Sequence, residues 1–109
     1  MGAFNIVHLA WRRSQASEVH DLKIQFKYGD TWQHEYSVGD ILKWGGNDIG
    51  ERDAKRVVVD GCLDSPTAFP SVPESFEVHI VNGRIDRVIP ATGSFDFASV
   101  GESFIILEK

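Results

Sequence analysis

Four histidines, one cysteine and sixteen carboxylates are the groups through which this chain could do chemistry. His8, His20, His34 and His79 show no close metal-ligand spacing, and no H-E-x-x-H motif is present. No metal site is expected. His79 falls opposite Asp86 in the register set by an Asn82-Gly83 turn, and a carboxylate beside an imidazole is half of a catalytic triad. The same pair is an ordinary cross-strand charge pair on a solvent face, worth under ~1 kcal/mol. Local register brings no serine or cysteine beside it. Cys62 follows Asp60-Gly61 and precedes Asp64, two carboxylates that raise a thiol's pKa and suppress the reactive thiolate. No catalytic residue and no cofactor is assigned, and the chain is not expected to be an enzyme.

The most distinctive stretch runs from Trp44 to Asp53, with Gly45, Gly46 and Gly50 permitting unusual φ and close backbone approach. Read as a small-ligand or cation site, it would use Trp44, Asn47, Asp48, Glu51 and Asp53. It lacks the D-x-[DN]-x-[DN]-G order of a calcium loop, and glycine with Asn and Asp is also the default composition of a solvated turn. Phe26, Tyr28, Trp32, Tyr36 and Trp44 would suit base stacking, but their common alternating phase argues for a core face with one Trp at the rim.

The elements that must position these groups are strands. Leu22, Ile24, Phe26 and Tyr28 alternate with Lys23, Gln25 and Lys27, and Trp32, Tyr36 and Val38 share a second face. A two-residue turn at Gly29-Asp30 would mismatch those faces, so an odd loop or a bulge is expected; a loop such as Gly29-Asp30-Thr31 would pair Tyr28 with Trp32 and Ile24 with Tyr36. Asn82-Gly83 signals a type I′ hairpin setting Phe76, Val78 and Ile80 opposite Ile89, Arg87 and Ile85, a core face interrupted only by Arg87. Strands are also expected over Phe4–Leu9, Ile41–Trp44, Val57–Val59 and Phe104–Leu107. Residues 14–21 read as a short helix or a loop, and 61–75 and 90–103 as long loops. The fold class is all-β, or β-rich with at most one short helix: a small antiparallel barrel or sandwich of six to seven strands.

With 109 residues and 42% hydrophobic content, the chain is one domain, 1–109. No apolar run approaches the roughly 20 residues of a membrane helix, and Met1–His8 lacks the basic start and apolar region of a signal peptide. With a single cysteine, a reducing, cytoplasmic setting is expected. Residues 1–58 hold 8 basic and 8 acidic residues, and residues 59–109 hold 3 and 8, so the net charge of −5 lies in the second half. That balance disfavours nucleic acid and suits a basic partner attracted by long-range steering.

The segments Ile24–Gln33, Val38–Asp48 and Val57–Gly61 resemble a family of small, largely uncharacterised bacterial proteins, some of which lie near contact-dependent or polymorphic toxins as immunity proteins do. Members often carry paired cysteines before the first of these strands and after the valine strand, implying a zinc knuckle. Here those regions read Trp11-Arg12-Arg13-Ser14-Gln15-Ala16 and Cys62-Leu63-Asp64-Ser65-Pro66, so the zinc site does not carry over. The resemblance, with no catalytic constellation and an acidic second half that suits a basic partner, leads to the expectation of a cytoplasmic immunity-type protein that neutralises a cognate toxin by occlusion. Its expected binding surface comprises Asp64, Glu74, Glu77, Asp86 and Asp96, with Phe69 or Phe95 as the buried anchor.

Overall fold

Alternating apolar residues leave this chain one economical arrangement, strands with one face turned inward. The computed structural model describes residues 4–12, 19–64 and 72–109. Within them lie Phe4–Arg12 (β1), Val19–Phe26 (β2), Gly29–Asp30 (β3), Trp32–Ser37 (β4), Asp48–Ile49 (β5), Arg56–Leu63 (β6), Ser75–Val81 (β7), Arg84–Pro90 (β8), Phe97–Val100 (α1) and Phe104–Glu108 (β9). Seven strands form one sheet in the order β4-β1-β2-β6-β7-β8, with β9 beside the first half of β6. Residues 39–42 bend back onto its far edge: the Gly39 amide donates to the Ile85 carbonyl (2.8 Å), Ile85 to Asp40 (2.9 Å) and Leu42 to Gly83 (2.9 Å). The protein is therefore all-β with one short helix, curled into a barrel-like form. The inner face collects Val7, Ile24, Phe26, Tyr36, Val57, Val59, Phe76, Val78, Ile80 and Ile85, each buried. Removing a Phe or Ile side chain from water contributes about 1.5–3 kcal/mol apiece.

The second hairpin forms as its turn residues dictate: Asn82 (φ 51) and Gly83 (φ 76) both adopt positive φ. Its register differs beyond Ile80↔Ile85. A bulge at Asp86 slides β8 by one residue, pairing His79 with Arg87 and Val78 with Val88. The slip has a plain cause. It turns Arg87 to the outer face, puts buried Val88 in the core and removes the interruption that the unbulged register imposes.

The first hairpin does not form. β1 lies between β2 and β4, antiparallel to β2 (Val7↔Ile24) and parallel to β4 (Val7↔Tyr36), so the pairs Tyr28–Trp32 and Ile24–Tyr36 are absent and the sheet is not wholly antiparallel. β2 already has β1 on one edge and the end of β6 on the other, which forces the chain after Phe26 across the end of β1. The buried Asn5 side chain holds that crossover, donating from Nδ2 to the Tyr28 carbonyl (2.9 Å) and accepting at Oδ1 from the His34 amide (3.0 Å). The strand expected at Ile41–Trp44 reduces to an isolated bridge from Ile41 to Arg84, because those residues serve the closure onto β8. Val19–Asp21 are strand, and the rest of the 14–21 segment lies outside the described residues. α1 interrupts the 90–103 stretch, with Asp96 accepting from the Ser99 amide and Gly101 (φ 70) closing it. No described helix is long and apolar enough to cross a membrane.

Candidate functional site

Charged and aromatic groups gather on the outer face of β7 and β8. Glu77 and His79 lie two apart on β7, so they share that face. Glu77 is not part of an acidic surface, as its alternating position suggests; it is 2% exposed. Thr92 lies over it and donates to its Oε2 from both backbone amide (2.7 Å) and hydroxyl (2.6 Å), while His79 Nε2 donates to Oε1 (3.1 Å). Burial alone would raise this carboxyl's pKa; the two Thr92 bonds and the imidazole outweigh it and hold Glu77 below the ordinary glutamate value. Across the ladder the bulge sets Arg87, not Asp86, opposite His79. Phe95 sits edge-on over the imidazole, with ring centroids 6.3 Å apart. His79, Phe95, Asp86, Arg56, Arg87 and Leu107 line a cavity of about 350 Å³.

The other residues expected on the binding surface divide between places. Asp86 and Phe95 share this cavity, and Asp96 caps α1 next door. Asp64 and Glu74 sit at the opposite end of the β6–β7 pair, where the Leu63 amide bonds the Glu74 carbonyl and Gln25 donates to Asp64. Phe69 lies outside the described residues. Asp64, Glu74, Asp86 and Asp96 are all exposed, yet they form no single patch.

The 44–53 loop turns its polar groups on itself. Asp48 Oδ1 accepts from the amides of Gly45 (2.9 Å) and Gly46 (3.3 Å), and Asn47 donates from Nδ2 to the Thr31 hydroxyl (2.8 Å). Trp44 packs edge-on against Tyr28, centroids 5.5 Å apart. The close approach that Gly50 permits is to Tyr28, whose hydroxyl donates to the Glu51 carbonyl (2.8 Å) and accepts from the Glu51 amide (3.1 Å). Trp44, Asn47 and Asp48 thus build the loop itself, although Asn47 and Asp48 stay exposed, as do Glu51 and Asp53. Among the described residues no three His, Cys, Asp or Glu side chains converge as metal ligands would. Burial, then Asp60 and Asp64, pushes the Cys62 thiol above its ordinary pKa, as its flanking charges imply.

Trp32 is the surface residue that the periodicity conceals. Its phase assigns it to the core, but it is 70% exposed. Between Phe4↔Trp32 and Ile6↔Glu35 the β1–β4 register slips, and Gln33 takes φ 54, a left-handed conformation uncommon outside glycine. That slip turns the indole out of phase, beside Gly46. Next to it, Asp30 accepts from His34 Nε2 (3.0 Å) and from the Asn47 amide (3.0 Å); the imidazole first, then that amide, hold its carboxyl below the usual aspartate value. The only available hint was the mismatch of faces across Gly29-Asp30.

On the outer face of β1, His8 bridges two neighbouring strands, Nδ1 to Asp21 (2.9 Å) and Nε2 to Glu35 (2.7 Å). Two carboxylate acceptors require both ring nitrogens to carry protons, so the geometry is that of an imidazolium. The bonds to Glu35 and then Asp21 raise its pKa above 6.5. A raised folded pKa makes this contribution fully present below pH 6.5 and removes it as pH climbs through the folded value. The urea midpoint should therefore fall as pH rises from 6 towards 8, and this fall should flatten in His8→Gln; an unchanged pH profile in the variant would reject the assignment.

Comparison with protein-family models, curated proteins and solved structures finds no match, so the chemistry of the site rests on its own residues.

Proposed function

We propose that this chain is a non-catalytic protein-binding module of the cytoplasm, an immunity-type protein that occludes a basic partner, with Trp32 as its anchor. One observation carries the reading: a tryptophan 70% exposed, turned outward by a slipped register and a left-handed Gln33. An aromatic mostly in solvent contributes little to the free fold, and backbone strain beside it is a common mark of a working surface. Tryptophan is also the residue most enriched among interface anchors. Asp30, Glu35 and Asp48 lie around it in the chain and the β3–β5 ladder, giving the anchor an acidic setting. This complements a basic protein and agrees with the net charge of −5. Asp86 and Asp96 would add steering at a distance rather than contact.

The test is capture from a lysate of the source cells by tagged wild-type protein and by Trp32→Ala, with the bound material identified after a moderate-salt wash. Wild type should retain one basic protein stoichiometrically. Trp32→Ala should bind it with an anchor-sized loss of about 2 kcal/mol, roughly 30-fold in affinity, while its thermal unfolding stays unchanged. Equal capture by both, or capture of nothing by the folded wild type, would overturn the reading.

A further inference from the structure

Independent of Trp32, we propose that the cavity over β6–β9 is a binding site for a small organic carboxylate with an apolar body. At about 350 Å³ it lies at the lower end of small-molecule sites. Two of its lining residues are Arg56 and Arg87, and neither guanidinium has an ion pair or hydrogen bond among the described residues. A guanidinium offers a planar fork of donors that matches a carboxylate two bonds at a time. Arg87 stands directly across the ladder from His79, where the Asp86 bulge puts it. His79 is itself fixed, since Glu77 takes Nε2 and Phe95 packs against the ring, while Nδ1 has no hydrogen bond among the described residues. Buried Glu77 does not oppose an anion in the cavity as a bare charge would, because three donors already satisfy its oxygens. Phe95 and the half-exposed Leu107 provide the apolar wall that a hydrocarbon tail would cover and that inorganic phosphate would not use. Asp86 also lines the cavity, and its negative charge repels an anion there, which fixes the sign of one variant's effect.

The experiment is an NMR titration of the full chain with sodium hexanoate, and in parallel with inorganic phosphate and 1-hexanol. Hexanoate should give saturable shifts at the Arg56 and Arg87 Nε–H groups and at the His79 ring. Arg87→Gln and Arg56→Gln should each weaken it on the order of tenfold, the loss of a charge-assisted pair. Asp86→Asn should tighten it, and Trp32→Ala should leave it unchanged. Backbone spectra establish that each variant is folded; Arg87→Lys, which keeps the charge and removes the fork, gives a second reading of the same contact and should also weaken binding. Absence of saturation, indifference to both arginine substitutions, or equally tight binding of phosphate or 1-hexanol would overturn the proposal.

Discussion

Replacing Gly50 with alanine is expected to lower the unfolding free energy by about 3 kcal/mol or more, through overpacking and backbone strain acting together. A Cβ there would fall inside van der Waals contact of the Tyr28 ring carbons Cδ1, Cε1 and Cζ, at a φ of +95 that already disfavours any side chain. The ring has nowhere to go. Tyr28 is buried, Trp44 and Phe104 pack edge-on against it at 5.5 and 5.2 Å, and its hydroxyl is held at both Glu51 backbone groups. For a domain of this size each kcal/mol moves the thermal midpoint by about 4–8 °C, so circular dichroism should record a fall of at least roughly 12 °C. Gly93→Ala is the control: φ is +81 there, but the space beyond it is open, and only the conformational cost of about 1 kcal/mol is expected. Equal losses at the two glycines would show that ring contact is not what Gly50 protects.

Asn5→Leu is expected to cost about 2–4 kcal/mol although it replaces one buried side chain with another of similar size. Asparagine here joins two backbone groups that have no strand partner, the Tyr28 carbonyl and the His34 amide, and leucine would leave both without a bond. An unsatisfied buried group loses its full hydration, about 1–3 kcal/mol each. The effect should be local as well as global. In hydrogen exchange the His34 amide should lose more protection than amides in β6 or β7, because the crossover into β4 is what Asn5 ties down. Uniform loss across the sheet would argue against that role.

These two positions also mark where the sequence was silent. Asn82-Gly83 declared its turn outright, since few other pairs accept two positive φ values. Arg87 on an otherwise apolar face was a visible conflict, and the bulge is its resolution. By contrast, nothing in the alternation of β2 and β4 says that β1 comes between them; period-two patterning reports which face is buried, not which strand is the neighbour. The lock is one polar side chain at position 5, whose partners lie 23 and 29 residues away. Glu77 was hidden for a related reason. Alternation assigns it to the outer face correctly, but only the return of residues 91–95 makes that face an interior. The candidate cavity was therefore half legible, through Asp86, Phe95 and the singling out of His79. Of its arginines, Arg87 showed only as a break in a core face and Arg56 not at all, while Trp32 shared the core phase of an aromatic set expected to leave one Trp at the rim.

The division of labour along β6 has a consequence for how the molecule comes apart. Its first half pairs with β9 and only its end, Gly61, Cys62 and Leu63, reaches β2 at Phe26, Gln25 and Ile24. Among the described residues that short seam is the one strand ladder joining β1, β2 and β4 to β6, β7, β8 and β9, and the backbone bonds of residues 39–42 to residues 83–85 close the other side. Gly61 keeps it tight, since any Cβ would press on Ile24 and Val78. Cooperative units part at such narrow links, here the seam together with the 39–42 closure, with each side retaining its own long pairings. The Trp32 surface belongs to one such unit and the arginine-lined cavity to the other. A partner gripping both would act as a brace across the seam and suppress openings that neither half controls alone.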